Sequence, residues 1–253
     1  TNFGKAHLEG FGGVEGVIKG KSEMYDHLIS QNNSIFFNAD DGIQKEKLAN
    51  YTKKMGFSSS DHQYYQIKLL GVDPYVSLEV EGTQIQTQLV GKYNFPNCCA
   101  AILIGKYFNV PITAIKSAIE SYRPENNRSQ LLSKNGFDIV LDAYNANPTS
   151  MRAALENFSL MKAKRKTLII GDMFELGSTA AEEHQSIADL AENLHFNEIY
   201  LVGENFYGTK TSLSKFKSFD ALKEHLTKHP LEKASLLIKG SRGMALERVL
   251  EVL

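Results

Sequence analysis

Apolar and polar positions follow two different rhythms, one in the first half of the chain and one in the second. In the first, Ser34 to Asn38 (SIFFN) reads as a short buried strand that ends in the polar turn Ala39-Asp40-Asp41-Gly42, where a ligand could sit. Tyr75 to Glu81 and Gln84 to Val90 alternate apolar with polar around Gly82-Thr83, which predicts a β-hairpin with one face on a core. Phe95 to Phe108 and Ile112 to Tyr122 predict helices, separated by Asn109-Val110-Pro111. A further helix is predicted from Val14 to Leu28, because Val14, Val17, Ile18, Met24, Tyr25 and Leu28 make one apolar stripe at 3.6 spacing.

Arg123-Pro124-Glu125-Asn126-Asn127 combines a proline with polar turn formers and is the best candidate linker. It divides the chain into domains 1–124 and 125–253. Beyond it, strands (Phe137 to Leu141, Thr167 to Ile170, Glu198 to Val202, Ser235 to Ile238) alternate with helices (Met151 to Met161, Ala181 to Leu194, Phe219 to Leu226, Ala245 to Leu253). That order predicts an α/β fold with a mostly parallel sheet. Ligands of such sheets meet the carboxyl ends of the strands. Here those ends carry Asp142-Ala143-Tyr144-Asn145, Gly171-Asp172-Met173, Gly203-Glu204-Asn205 and Lys239-Gly240-Ser241-Arg242. Strand-to-helix loops are polar in general, yet charge at all four ends points to a shared site.

Composition narrows the partners. With 28 Lys plus Arg against 29 Asp plus Glu in 253 residues, and no basic block, the chain lacks the footprint of a nucleic-acid or anionic-membrane binder. The longest apolar run, Cys98 to Ile104, is too short to span a bilayer, and no signal-peptide pattern stands at the start. Cys98 and Cys99 are adjacent, badly placed for an ordinary disulfide, and read as core residues of a reduced, cytoplasmic protein. A monomer is expected. The chain opens at Thr1 in motif-like sequence and reads as a piece of something longer.

Two loops resemble nucleotide cradles and fail. Gly16-Val17-Ile18-Lys19-Gly20-Lys21-Ser22 has three residues between its glycines where a phosphate loop needs four. Gly10-Phe11-Gly12-Gly13-Val14-Glu15 places Glu15 where the last glycine of a dinucleotide fingerprint belongs. Lys21 falls inside the apolar stripe of the Val14 to Leu28 helix. Burial lowers a lysine's pKa and leaves an amine able to act as a nucleophile or take up carbon dioxide, whereas a packed stem with a solvated head is the plainer alternative. His7, in a glycine-rich loop, is a candidate metal ligand or an ordinary structural histidine. Asn147 as N-cap and Pro148 at the first helical position account for part of Asp142 to Ser150 but leave Asp142, Tyr144 and Asn145 unexplained. Gly91 to Asn97 has the same character, and capping would account for one of its two asparagines, Asn94 and Asn97.

Taken together, Thr1 to Gly10, Gly91 to Asn97 with Ala100-Ala101, Asn127-Arg128-Ser129-Gln130, Asp142 to Pro148, Gly171 to Gly177 and Lys239 to Arg242 resemble the Mur ligases, ATP-dependent amide-forming enzymes of peptidoglycan precursor synthesis. Tyr144-Asn145-Ala146-Asn147-Pro148 with Gly171 to Gly177 selects the branch that adds D-alanyl-D-alanine. The resemblance implies that 1–124 is the C-terminal part of a central ATP-binding domain and 125–253 a Rossmann-like C-terminal domain. The N-terminal UDP-sugar domain and the phosphate-binding loop would lie upstream, so the chain alone is not expected to catalyse. The implied partners are ATP, Mg2+, a UDP-N-acetylmuramoyl tripeptide and D-alanyl-D-alanine.

Residue by residue, the resemblance assigns His7 to magnesium and Lys21, once carbamylated, to a second magnesium. It places Asn94 and Asn97 near the adenine, with Tyr93 standing where relatives often have histidine. Arg128 would reach the nucleotide phosphates and Asp142 the ribose. Tyr144, Asn145 and Asn147 would line a closing cleft, with Tyr144 on the nucleotide side, and Lys239, Ser241 and Arg242 would contact substrate. The implied reaction forms an acyl phosphate that the dipeptide amine then attacks. The competing readings are a sibling Mur or folate-polyglutamylating ligase and a non-catalytic nucleotide- or partner-binding module.

Overall fold

The computed structural model describes residues 2–125 and 127–253; Thr1, and Asn126 of the candidate linker, lie outside the described residues. The chain divides into two units: residues up to Gly4 with Phe11–Arg123, and Lys5–Gly10 with Pro124–Leu253.

In the first unit, a single helical turn α1 (Leu8–Phe11), whose last residue belongs to this unit, precedes the long helix α2 (Val14–Ser30). Gly16 and Gly20, the glycines of the failed phosphate-loop match, lie inside α2. There they admit Phe11, whose ring a Cβ on Gly20 would meet at 2.4 Å. The buried face of α2 is narrower than its stripe predicts: Val17 and Tyr25 are buried, whereas Val14 and Met24 are exposed.

Strand β1 (Ile35–Asn38) pairs in parallel with β2 (Lys54–Ser58), after helix α3 (Gly42–Lys47), and β2 pairs in parallel with β3 (Tyr65–Gln66). Asp41 caps α3, its Oδ1 accepting from the Ile43 and Gln44 amides at 3.0 and 3.1 Å. A second sheet runs antiparallel through β4 (Lys68–Gly71), β5 (Tyr75–Val80) and β6 (Thr83–Val90). The predicted hairpin is there, with its turn one residue earlier than expected. Glu81 and Gly82 both have positive φ, 50° and 71°, as a two-residue turn matched to strand twist requires, and Thr83 starts the return strand. Helices α4 (Phe95–Tyr107) and α5 (Ile112–Ser121) close a core that contains Ile67, Val76, Leu78, Ile85 and Ile102. Cys98 and Cys99 are free thiols in that core. Burial pushes both pKa values up, that of Cys98 to about 11.

In the second unit, β7 (Gln130–Lys134) forms an antiparallel hairpin with β8 (Phe137–Asp142). The alternation then runs α6 (Pro148–Leu160), β9 (Lys166–Gly171), α7 (Ala180–Asn193), β10 (Glu198–Val202), α8 (Glu204–Tyr207), β11 (Ser214–Phe216), α9 (Phe219–Lys228) and β12 (Ser235–Lys239). The six-stranded sheet has the order β11-β10-β9-β12-β8-β7, parallel except for β7. The last strand is thus inserted between β9 and β8, with Lys239 opposite Asp142 in register. Ile139, Leu236 and Ile238 are fully buried in the sheet core, each contributing about 1.5–3 kcal/mol of hydrophobic stabilisation.

The predicted helix from Ala245 to Leu253 is replaced by two 3₁₀ segments, Arg242–Met244 and Leu246–Glu251. Ala245 between them is left-handed (φ 48°, ψ 46°), which no α-helix accommodates. Leu246 and Val249, three residues apart and buried, share a face of a three-residue turn as readily as of an α-helix.

Candidate functional site

At the carboxyl ends of β8 and β12, Asp142 is the hub. Its Oδ2 receives Lys239 Nζ at 2.6 Å and its Oδ1 accepts from the Ser129 amide at 3.0 Å. Lys239, 1% exposed, also donates to the Asn145 carbonyl at 3.1 Å. One carboxylate therefore ties three loops together; Oδ1 also accepts from the Ser129 hydroxyl at 3.4 Å, and Oδ2 still has acceptor capacity for a ligand hydroxyl. Ser241 is buried; its Oγ accepts from the Phe174 amide at 2.9 Å and donates to the Ala146 carbonyl at 3.5 Å. In this structure the polar atoms of Lys239 and Ser241, expected to touch substrate, bond inside the protein and help to frame the strand ends.

Above this frame stands Tyr144, exposed, its amide donating to the Asn127 carbonyl at 3.1 Å. The Arg128 guanidinium lies 3.7 Å from the centre of its ring and the Arg242 guanidinium 5.7 Å from the same ring. The structure so brings together Arg128, Asp142, Tyr144 and Arg242, with Asn145 beside them. Asn145 turns its Oδ1 to the Ala146 amide at 2.9 Å. Asn147 is the N-cap of α6 in a reciprocal capping box with Ser150, so its side-chain carbonyl serves the helix and not the cleft expected of it.

The other strand ends are structural. Asp172 accepts from the Asn205 and Phe206 amides, both at 2.9 Å, and from Asn205 Nδ2 at 3.0 Å, holding the first turn of α8. Gly203, at φ 121°, admits that carboxylate, which a Cβ would meet at 2.3 Å. His184 is fully buried; its Nε2 accepts from the Met173 amide at 2.9 Å, and its Nδ1 donates to the Ala180 carbonyl at 2.6 Å. Burial lowers its pKa, against the upward pull of that Ala180 bond.

The segment Lys5–Gly10 belongs to the second unit. Lys5 bonds Thr149 through its amide and Glu183 through Nζ, and the Glu9 amide donates to the Glu175 carbonyl at 3.1 Å. His7 pairs through Nδ1 with the Glu175 carboxylate. Sequence reasoning missed Glu175. A carboxylate behind one imidazole nitrogen is how metal-ligating histidines are oriented, so His7 fits a ligand role through Nε2. No group of three or more His, Cys, Asp and Glu side chains is placed for a metal among the described residues, so the fit is that of one oriented donor.

In the first unit, Lys21 is half-buried and its Nζ donates to the Asn2 carbonyl at 2.8 Å, a correction to the expectation of an amine hidden among apolar neighbours. Asn2 also lines a cavity of about 210 Å³ with Asn38, Gln44, Tyr93 and Asn97, floored by Phe57. Asn94 stands at the N-cap of α4 without capping it. Its Nδ2 donates to the Val90 carbonyl at 2.8 Å and its Oδ1 accepts from Asn97 Nδ2 at 3.1 Å, so neither asparagine is explained by the helix start.

Comparison with known proteins shows the family and the fold. Residues 1–105 match the family description "Mur ligase middle domain" and residues 127–242 "Mur ligase, glutamate ligase domain". A UDP-N-acetylmuramoyl-tripeptide--D-alanyl-D-alanine ligase of Bacillus subtilis is 27% identical over 99% of this chain and 57% of its own. The enzyme of that name from Treponema pallidum is 33% identical over 67% of this chain and 39% of its own. The crystal structure of MurF from Acinetobacter baumannii superposes with a TM-score of 0.81 at 26% identity, over 99% of this chain and 57% of that one. MurF from Thermotoga maritima in complex with ADP has the same fold, with a TM-score of 0.82 at 22% identity over 99% and 60%. The chain spans less than two thirds of each of these relatives.

Proposed function

The chain belongs to the Mur ligases, and on that premise we propose that it is part of the enzyme that joins D-alanyl-D-alanine to a UDP-N-acetylmuramoyl tripeptide at the expense of ATP. In this reading residues 1–124 are the C-terminal part of the central ATP-binding domain and 125–253 the C-terminal domain. The observation that carries it is the gathering of Arg128, Asp142, Tyr144 and Arg242 at the carboxyl ends of β8 and β12. The Arg128 guanidinium beside a carboxylate with spare acceptor capacity is the chemistry that a nucleotide's phosphates and ribose hydroxyls require, with Arg242 at hand for the anionic acceptor.

Each unit contributes by itself. In the first, Asn94 and Asn97, with the cavity that Asn97 lines, would take the adenine. In the second, Asp142 would hold the ribose and Arg128 the phosphates, while Asn145 and Arg242 would face the acceptor. Lys239, Ser241 and Asn147 would act as positioning residues, since their polar groups serve the frame. Mg2+ belongs to the same proposal: in the second unit His7 would present Nε2 to one ion, and in the first Lys21 would present a carbamate oxygen to a second, and such ions would supply charge neutralisation on the phosphates. Carbamylation adds carbon dioxide to the Lys21 amine with loss of a proton and exchanges a cation for an anion.

The chemistry asks little covalent work of the protein. The tripeptide carboxylate attacks the γ-phosphorus, ADP leaves, and the dipeptide amine then displaces phosphate from the acyl phosphate with loss of a proton. Alignment, and guanidinium charge set where negative charge develops, are what this chain's residues provide. The test uses the full-length enzyme with ATP, the UDP-linked tripeptide and a panel of amines. Phosphate release with D-alanyl-D-alanine is expected, and release with glutamate but not with the dipeptide would overturn the assignment. Lys21→Ala is expected to abolish most turnover, and undiminished turnover would remove the carbamate role.

A further inference from the structure

Among the described residues neither Arg128 nor Arg242 has an ion-pair partner or a side-chain hydrogen bond, although both lie against one tyrosine. Stacking on Tyr144 occupies a guanidinium's face and leaves its rim of N–H donors open. We propose that Arg128 and Arg242 are the two halves of one phosphoryl-binding clamp for which Tyr144 is the shared mount. The assignments above give the arginines separate ligands and give Tyr144 a place in the cleft; the clamp unites them on a single anion. It rests on the reading of Arg128 as a phosphate ligand.

Three observations support a built site. Tyr144 is fixed through its amide to Asn127, next to Arg128 in the chain. The strand ends beneath are locked by Asp142, which takes Ser129 from the Arg128 loop and Lys239 from the Arg242 loop. The positive charge of Lys239 is already matched by Asp142, so the two guanidiniums are the unneutralised cations at this end of the sheet among the groups just described. A frame of this kind places both forks before the ligand arrives.

The ligand class follows from fork geometry. A carboxylate has its two oxygens in one plane, a geometry that matches one bidentate guanidinium better than two forks set at different positions. A phosphoryl group presents three oxygens pointing in different directions, so two forks at different distances from one ring can share it.

The probe is inorganic tripolyphosphate, titrated calorimetrically into this chain at constant ionic strength, with glutarate as the carboxylate arm. Tripolyphosphate should bind and glutarate should bind at least tenfold more weakly. Arg128→Gln and Arg242→Gln should each weaken tripolyphosphate about tenfold, and the double variant by clearly less than the product of the two. Tyr144→Leu should weaken it severalfold although no charge is lost, while Tyr144→Phe, which keeps the ring, should stay within about twofold; circular dichroism confirms that each variant is folded. Unchanged affinity in Arg242→Gln, multiplicative losses in the double variant, equal binding of glutarate, or no binding at all would each overturn the clamp. A failed clamp with D-alanyl-D-alanine ligation intact in the full-length enzyme leaves the ligase reading standing, and an intact clamp without ligation overturns only that reading.

Discussion

Lys239 and Asp142 face each other in register on β12 and β8, and their side chains meet in an ion pair, Nζ to Oδ2, of 2.6 Å. The lysine side chain is 2% exposed and the carboxylate 13%. Removing both charges from water is costly, and the pair is compensated by further bonds, the Ser129 amide donating to Oδ1 and Nζ donating to the Asn145 carbonyl. Its role is to specify where the 127–129, 142–147 and 239–242 loops sit, which is the frame on which the exposed Arg128, Tyr144 and Arg242 are mounted.

Breaking that pair from one side leaves a buried charge. Lys239→Met should therefore destabilise the chain by about 3–5 kcal/mol in urea unfolding. Adding Asp142→Leu to it should recover a good part of the loss, because the orphaned carboxylate is then gone. A loss under about 1 kcal/mol in the single variant would show that the pair is not the keystone of these loops.

Gly203 answers to a different constraint. Its φ of 121° and ψ of 163° lie where essentially only glycine rests, and a Cβ there would sit 2.3 Å from the Asp172 carboxyl group. Gly203→Ala should cost about 3 kcal/mol or more, from backbone strain together with disruption of the carboxylate that holds α8. Thermal unfolding of the variant reads this directly; a Tm within a degree or two of the parent would contradict it.

The buried His184 makes stability depend on pH. Its Nε2 accepts a bond from Met173 and cannot also carry a proton there. The charged groups facing it are Asp172, 3.6 Å from Nε2, and its neighbour in sequence Glu183. Burial outweighs both and lowers the folded-state pKa, so the unfolded chain binds the proton first. The stabilisation is complete above the ordinary histidine value and is lost as pH falls from there through the folded-state value, at a slope of up to about 1.4 kcal/mol per pH unit. Urea unfolding at pH 7.5 and pH 5.5 should show a steeper decline in the parent than in His184→Gln. Equal declines would assign the slope to other groups.

What could be read from the sequence followed period and chemistry type. The second unit's strands and helices emerged because four parallel strands buried on both faces give unbroken apolar runs such as Leu168-Ile169-Ile170. Strand β7 did not, since it is an edge strand whose last two residues, Ser133 and Lys134, are exposed. Its one signal was the Asn135-Gly136 pair, both at positive φ, which closes the hairpin with β8. At the site, Asp142, Tyr144 and Asn145 were legible as polar residues that capping left over, and Arg128 only through the family resemblance. The commitments of Lys239 and Ser241 were not, because whether a strand-end side chain turns inward depends on which strand is inserted beside it. For Lys239 that was settled by β12 entering between β8 and β9.

The partner of His7 was the least legible feature, because Glu175 is 168 positions away. Glu175 also holds the same segment through its carbonyl, which accepts the Glu9 amide at 3.1 Å. An imidazole whose Nδ1–H donates to a carboxylate is fixed in one tautomer, with Nε2 left as the lone-pair nitrogen. Nitrogen NMR of the His7 ring should therefore show the proton on Nδ1 in the parent chain. Glu175→Gln, which retains an acceptor oxygen, should keep that tautomer, and Glu175→Ala should shift the population toward the proton on Nε2. Both groups are more than half exposed, so the accompanying change in stability should be under about 1 kcal/mol, and a tautomer indifferent to Glu175→Ala would mean that the carboxylate does not orient the ring.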